Sequence, residues 1–179
     1  MSDLTISQFE NAMNKEELLN TVKNKLTQKF HGSIETAELL YDFPTFVINK
    51  EHIHEVLLFL KVDEDLNFHF LTDLTGFQTP DEKHLGVIYH LHNMQKNYRI
   101  RVKTFFPISN PEIPTATGLW AGANWMERET YDFFGVKFKG HPNLKRILNV
   151  DEMDIFPLRK EYPLEDQSRD DKSDKMFGR

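Results

Sequence analysis

Cysteine is missing from all 179 residues. Its absence excludes disulfides, zinc–thiolate sites, thiol nucleophiles and thiolate-ligated iron–sulfur clusters. If the chain serves an electron-transfer enzyme, other chains must hold the clusters. Long apolar runs are missing too: the longest, Val56 to Leu60, falls far short of the roughly 20 residues a membrane helix needs. The opening MSDLTISQFE has neither the basic flank nor the apolar core of a secretory signal, so the chain is expected to be soluble and to stay in the cytosol. No segment gathers the Lys and Arg needed to neutralise a run of phosphates, the formal net charge is −6 and the sequence pI is near 5.7. A run of phosphates would find no matching surface, which argues against nucleic acid as a partner. The glycine patterns of dinucleotide sites and P-loops, the nucleophile elbow and the HExxH zinc motif are all absent.

Aromatic rings, by contrast, are plentiful, with fifteen Phe among the 12% aromatic residues. A chain of this length with 39% apolar residues buries one core and hardly two. Such a core does not hide every ring, so some are expected in an interface with another protein. The organisation expected is one α+β domain over residues 1–140, followed by an extended C-terminal arm over 141–179 with a disordered end.

Local patterns support that division. From Asn14, the residues Leu18, Leu19, Val22, Leu26 and Phe30 fall on one helical stripe, with Asn14 and Glu17 spaced as a capping box and Gly32 as a stop. Ile34 to Leu40 and Thr45 to Ile48 read as strands around a turn at Asp42-Phe43-Pro44, and His52 to Lys61 as a second helix. Three further strands are expected over Asn67 to Leu74, Leu85 to His92 and Tyr98 to Phe106, giving a mixed sheet of about five strands with helices packed on it. In the last, Ile100, Val102 and Thr104 alternate with Arg101, Lys103 and Phe105, so one face is buried and the other wet. A proline-rich loop then leads to a helix expected from Leu119 to Phe134, closed by Gly135. Beyond Gly140 periodicity is lost.

Few residues suggest chemistry. Glu129 and Asp132 lie three apart, close enough on a helix for a carboxylate pair, while Arg128 and Asp132, four apart, suit an ion pair on a solvated face. His90 and His92 point to the same side of a strand and, with a carboxylate, are the only candidates for a metal-dependent hydrolase; His52 and His54 diverge on their helix. His141, directly before Pro142, suits a fixed structural role.

Glu127 to Leu148, ERETYDFFGVKFKGHPNLKRIL, followed by PLRKEYPLED from Pro157 to Asp166, resembles the signature of one family, the 30 kDa-type peripheral-arm subunits of respiratory NADH:quinone oxidoreductase (complex I). FLTDLTGFQTP and VIYHLHNMQKNYRIRVKTFFP resemble the same family's sheet region, so the likeness runs from about Phe68 to Asp166. It implies a structural component without cofactor, catalytic residue or metal of its own. Its place is the quinone-reducing module, on the cytoplasmic face of the cell membrane, where electrons from NADH reach quinone as ions are translocated. FMN and iron–sulfur clusters would reside in partner subunits. The partners implied are other complex I subunits, chiefly the large hydrogenase-like one and a smaller one that bears a cluster, with membrane association only through the complex. The signature positions carried over are Glu127, Arg128, Glu129, Asp132, Gly135, Gly140, His141, Pro142, Arg146, Arg159 and Lys160, in structural and interfacial roles. Two departures stand out: Met153-Asp154-Ile155-Phe156 lacks the family's usual Gly, and Glu161 replaces an Asp. Related membrane-bound hydrogenases and ferredoxin-driven complexes use similar subunits and form the alternative.

Overall fold

Helix α1 (Lys15–Lys29) starts where its capping residues require. In the computed structural model, which describes residues 13–162, the Glu17 amide donates to Asn14 Oδ1 at 2.8 Å and the Asn14 amide to the Glu17 carboxylate at 3.1 Å. Two otherwise orphaned amides are thereby satisfied. Leu18, Val22 and Leu26 are buried, with Leu19 and Phe30 half-buried beside them.

Strands β1 (Ile34–Leu40) and β2 (Phe43–Ile48) form a hairpin whose turn is Tyr41-Asp42, not Asp42-Phe43-Pro44 as the sequence suggested. Both turn residues have positive φ, 48° and 67°, the geometry that matches a two-residue link to the strand twist. Asp is a recognised occupant of such a position; Tyr41, 96% exposed, is not, and this hid the turn. After α2 (Ile53–Val62) come β3 (Phe70–Gln78), β4 (His84–Asn93) and β5 (Tyr98–Pro107). The five-stranded sheet has the order β1-β2-β5-β4-β3, with β2 and β5 parallel and the other neighbours antiparallel. It is the mixed sheet expected, in an α+β fold.

β3 outlasts its expected end at Leu74 because Gly76, a residue that weakens most strands, is required there. A Cβ on Gly76 would lie 2.7 Å from Thr130 Cγ2 and 2.9 Å from Phe134 Cδ2. These side chains belong to α3 (Ala123–Phe134), which packs on β3. The helix starts at Ala123 and not at Leu119. Leu119 and Trp120 are buried in the preceding turn, where Trp120 Nε1 donates to the His69 carbonyl at 3.1 Å. Short strands β6 (Glu112–Pro114) and β7 (Lys137–Lys139) pair in parallel and flank α3 in sequence.

The helices share one side of the sheet. Phe30 of α1 meets Phe59 of α2 edge-on at 5.8 Å, and Lys61 of α2 lies 5.9 Å from the Trp120 ring that precedes α3. Phe46, Leu74, Val87, Tyr89 and Val102 point into this core, which the alternation in β5 anticipated. Among the described residues only Phe70, at 45%, is an exposed Phe. The others fill the core, line the opposite sheet face or pack beneath the segment that follows β7.

Candidate functional site

α3 carries three of its four charges inward. Glu127, Arg128 and Asp132 are buried, whereas Glu129 and Trp125 are exposed. The carboxylate pair of Glu129 and Asp132 therefore does not form, and neither does the solvated Arg128–Asp132 pair. Spacing alone missed that the chain returns over this helix.

Residues 141–162 form no helix or strand, yet they bind α3 closely. Asp132, with no exposed surface, accepts the successive amides of Ile147, Leu148 and Asn149 on Oδ2 at 3.0, 2.8 and 2.9 Å. Its Oδ1 accepts Arg146 Nη1 at 2.7 Å and Asn149 Nδ2 at 3.1 Å. Burial by itself would push this carboxyl up. The donors, with the Asn149 amide and Arg146 foremost, hold it far below the usual carboxylate range. Arg146 also donates to the carbonyls of Asp132, Met153 and Ile155. Its guanidinium lies 5.3 Å from the Phe156 ring centre, and that of Arg159 lies 4.6 Å from the same ring. Arg159 Nε in turn donates to the Phe134 carbonyl at 2.7 Å. The Met153–Phe156 stretch, where the sequence departs from the family pattern, thus supplies two carbonyls to one arginine and a ring to two. At the second departure, the Glu161 carboxylate reaches Arg159 Nη1 only at 3.5 Å, on the surface.

Gly135 makes that packing possible. It ends α3 with φ +73°, and a Cβ there would fall 2.6 Å from Phe156 and 2.7 Å from Arg159 Nη2. Gly135→Val should cost about 2 to 3 kcal/mol, from the left-handed backbone and the displaced ring together. Urea unfolding of the purified chain checks this, and an unchanged midpoint would contradict it.

The remaining signature residues take separate posts. Arg128 Nε and Nη2 donate to the carbonyls of Lys145 and Arg146 at 3.2 and 2.9 Å, and its guanidinium lies 5.1 Å from the Trp125 ring centre. His141 Nδ1 accepts the Asn143 amide at 3.0 Å, so Nε2 bears the proton and donates to the Asn124 carbonyl at 3.1 Å. Gly140 has φ +85° at the turn out of β7. Pro142 is exposed, and Lys160 contributes its backbone amide, to Gln78 Oε1 at 2.8 Å. The expected disorder at the chain's end, and residues 163–166 of the second signature segment, lie outside the described residues.

Glu127 has no exposed surface and binds the turn after β6, accepting the Ala116 amide and the Thr115 hydroxyl at 2.6 Å each. Burial outweighs both bonds and pushes its carboxyl up to about 7. Tyr89 is likewise raised, by burial and then by the charge of Glu127; its hydroxyl has no hydrogen-bond partner among the described residues. A folded-state value above the unfolded one means the native state holds its proton more tightly. This contribution is fully present below about pH 4.5 and is lost as pH rises through about 7, a change of about 3 kcal/mol. Glu127→Gln should remove that slope, as unfolding free energies at pH 5 and pH 8 would show. A slope unchanged in the variant would assign the pH dependence elsewhere.

The two strand histidines do not combine. His90 Nε2 accepts Arg101 Nε at 3.0 Å and its Nδ1 faces Asp73 at 3.5 Å, whereas His92 Nε2 faces Asn97 Oδ1 at 3.4 Å. Among the described residues no group of three or more His, Asp or Glu is placed to hold a metal. Sequence reasoning missed Asn149, Thr115 and Phe156. The signal for Asn149 lay in the ungapped run Arg146-Ile147-Leu148-Asn149, a guanidinium followed by three free amides.

What the arrangement does chemically is immobilise an aperiodic segment. Every strong acceptor of Asp132 is filled from within the chain, and Trp125, Leu148, Val150, Ile155 and Leu158 are left facing outward, 38 to 66% exposed. The family described as respiratory-chain NADH dehydrogenase, 30 Kd subunit, matches residues 46–168. An NADH-quinone oxidoreductase subunit from Citrifermentans bemidjiense is 40% identical over 147 residues, covering 82% of this chain and 90% of that one. Its namesake from Moorella thermoacetica is 40% identical over 138 residues, covering 77% and 91%. Among solved structures, a trypsin-resistant fragment (1–134) of Nqo5 is 29% identical with a TM-score of 0.59, covering 74% of this chain and all of that one. A membrane-bound sulfane sulfur reductase, an archaeal respiratory membrane complex, shares the fold at a TM-score of 0.68 and 23% identity, over 81% of this chain and 85% of that one. With the match spanning most of the sheet, α3 and the segment bound to it, the chain belongs to the 30 kDa subunit family of respiratory-chain NADH dehydrogenase.

Proposed function

We propose that the chain is a non-catalytic scaffold of the quinone-reducing module of NADH:quinone oxidoreductase, supporting electron transfer from NADH to quinone coupled to ion translocation. The observation that carries this reading is the fate of the signature charges. Asp132 and Arg146 are engaged by each other and by backbone groups: both carboxylate oxygens and both Nη groups are bonded within the chain. Outward from the same segment stand apolar side chains, a surface that suits a protein partner.

The partners are chiefly the large hydrogenase-like subunit and the smaller, cluster-bearing one. FMN and iron–sulfur clusters sit in partner chains, and the assembly stands on the cytoplasmic face of the membrane. Residues 141–179 act as the docking arm, with Glu129, Trp125 and Leu158 on the contact surface. Of the remaining signature positions, Arg128, Gly135, Gly140, His141, Pro142, Arg159 and Lys160 shape that arm, and Glu127 holds the turn after β6. No helix among the described residues is long and apolar enough to cross a membrane, which suits attachment through other subunits.

Purification through a tag on this chain tests the reading. Flavin, iron–sulfur clusters and NADH:quinone turnover should elute with the complex and be absent from the isolated chain. Turnover by the isolated chain would overturn the scaffold role. A complex without an NADH-binding flavin subunit would move the chain to a hydrogenase-type or ferredoxin-driven assembly, which no present observation favours.

A further inference from the structure

The side of the sheet away from the helices has no described helix packed on it. Its composition is fixed by register. Arg101 is the cross-strand partner of His90 and Thr45, and Lys103 of Ile88 and Val47, while the intervening Val102 opposes Tyr89 and Phe46 in the core. Arg99, Arg101 and Lys103 thus form a row of cations on β5, in a chain whose net charge is −6. Facing them on this surface are Glu38 of β1, near Lys103, and Asp73 of β3, which sits behind His90.

Arg101 is held, not waving. Its Nε donates to His90 Nε2 at 3.0 Å, and its guanidinium lies 5.0 Å from the centre of the Phe43 ring, against which His90 stands edge-on at 5.8 Å. The two Nη groups have no hydrogen-bond partner among the described residues, so the planar fork is held at Nε and open at both Nη groups. Lys103 is crowded: burial first and then the Arg101 charge work against its ammonium, with Glu38 alone favouring it. The same surface is apolar at one end. Gly86 has no side chain because Phe77 occupies that space, at 2.5 Å from where a Cβ would be, and Phe77 meets Phe105 edge-on at 5.4 Å.

A fixed guanidinium fork matches a carboxylate in shape, a point cation beside it accepts a second, and flanking rings suit apolar side chains between them. A lipid surface would need neither the fork nor the rings. We propose that this helix-free face docks an acidic segment of a neighbouring subunit, with one carboxylate on Arg101, another on Lys103, and apolar side chains against Phe43 and Phe105. It would be a second docking surface, on the opposite side of the sheet from the arm. It rests on the reading of the chain as an assembled subunit.

Zero-length carbodiimide crosslinking of the intact purified complex tests it, because that reagent joins an amine only to a carboxylate in contact. The expected product is an amide between Lys103 and an Asp or Glu of another subunit, lost in Lys103→Met. The double variant Arg101→Gln, Lys103→Met should fold normally, since neither side chain enters the core, yet release from the complex at least several-fold more than wild type at low salt, with the difference narrowing as salt is raised. Lys103 joined only to Glu38, to an acidic residue of 163–179, or to a second copy of this chain would overturn the proposal. So would a complex lacking any intersubunit product at Lys103. A tagged chain that brings down no respiratory subunit would sink the scaffold reading itself, so the two failures are distinguishable.

Discussion

Asp132→Ala should lower the unfolding free energy by about 3 to 5 kcal/mol, the scale expected when one member of a buried ion pair is removed. The loss has two parts. Arg146, whose side chain is only 8% exposed, would lose its only carboxylate partner among the described residues, and the amides of residues 147–149 would lose their acceptor together. Asp132→Asn keeps the volume but turns one acceptor into a donor facing Arg146 or those amides, so it should do little better. Hydrogen exchange at 147–149 and trypsin cleavage after Arg146 should rise well before global unfolding. If exchange there stayed at wild-type levels, the segment would be held by something other than this carboxylate. The pH dependence has a definite sign. Because the folded-state value is depressed, this stabilisation is complete above about pH 5 and is lost as pH falls below about 4. Glu127, on the same helix, acts oppositely across pH 4.5 to 7. The two carboxylates therefore bend the stability curve from both sides, and Asp132→Ala should remove only the acid limb.

A chain ending at Gly140 should still fold, yet be absent from the assembled complex. α3 would keep its seat on β3, where Thr130 and Phe134 close over Gly76. Removing the whole segment lets water reach Asp132, so the truncated chain avoids the buried, unpaired charge that a point substitution creates. Its penalty is mainly the uncovered rings near Phe156, counted at roughly 25 cal/mol per Å² of apolar surface. Assembly is another matter, because Leu148, Val150, Ile155 and Leu158 leave with the segment. Far-UV circular dichroism of the truncated chain, beside a native gel of membranes that express it, separates folding from docking. Truncated chain running in full-size complex at normal abundance would remove the arm from its proposed role.

Local signals were legible in the sequence where the physics was local. The capping box of α1 needs only Asn14 and Glu17, and the alternation of Ile100, Val102 and Thr104 needs only one strand with one buried face. Gly135 announced a left-handed stop, which its φ confirms. Errors arose where a distant residue overrode the local preference. The strand expected to end at Leu74 runs on through Gly76 and Phe77, because Thr130 and Phe134 of α3 close over the glycine. Arg128 and Asp132 have ideal helical spacing, yet each is taken by the segment after β7, Asp132 by Arg146 and Arg128 by carbonyls beside it. No periodicity marks such a contact. Of the site, sequence supplied the identities of the important charges but not their partners, and it missed the amide run that makes Asp132 the organising residue.

The parallel seam between β2 and β5 has a consequence for how the chain reaches this structure. It is short, spanning Thr45–Val47 and Arg101–Lys103, and it joins two units that are otherwise built from neighbours in sequence: the β1–β2 hairpin with α1, and the β3–β4–β5 meander. Each unit can form from nearby contacts, but the seam must close a loop containing α2 and two strands, an entropic demand that local structure does not relieve. During synthesis β2 emerges long before the strand that pairs with it, and its inner side chains, Phe46 and Ile48, wait for β5. Closure of this seam should therefore set the refolding rate, and Val102→Ala should slow refolding, whereas Leu26→Ala, in α1 away from the seam, should mainly speed unfolding.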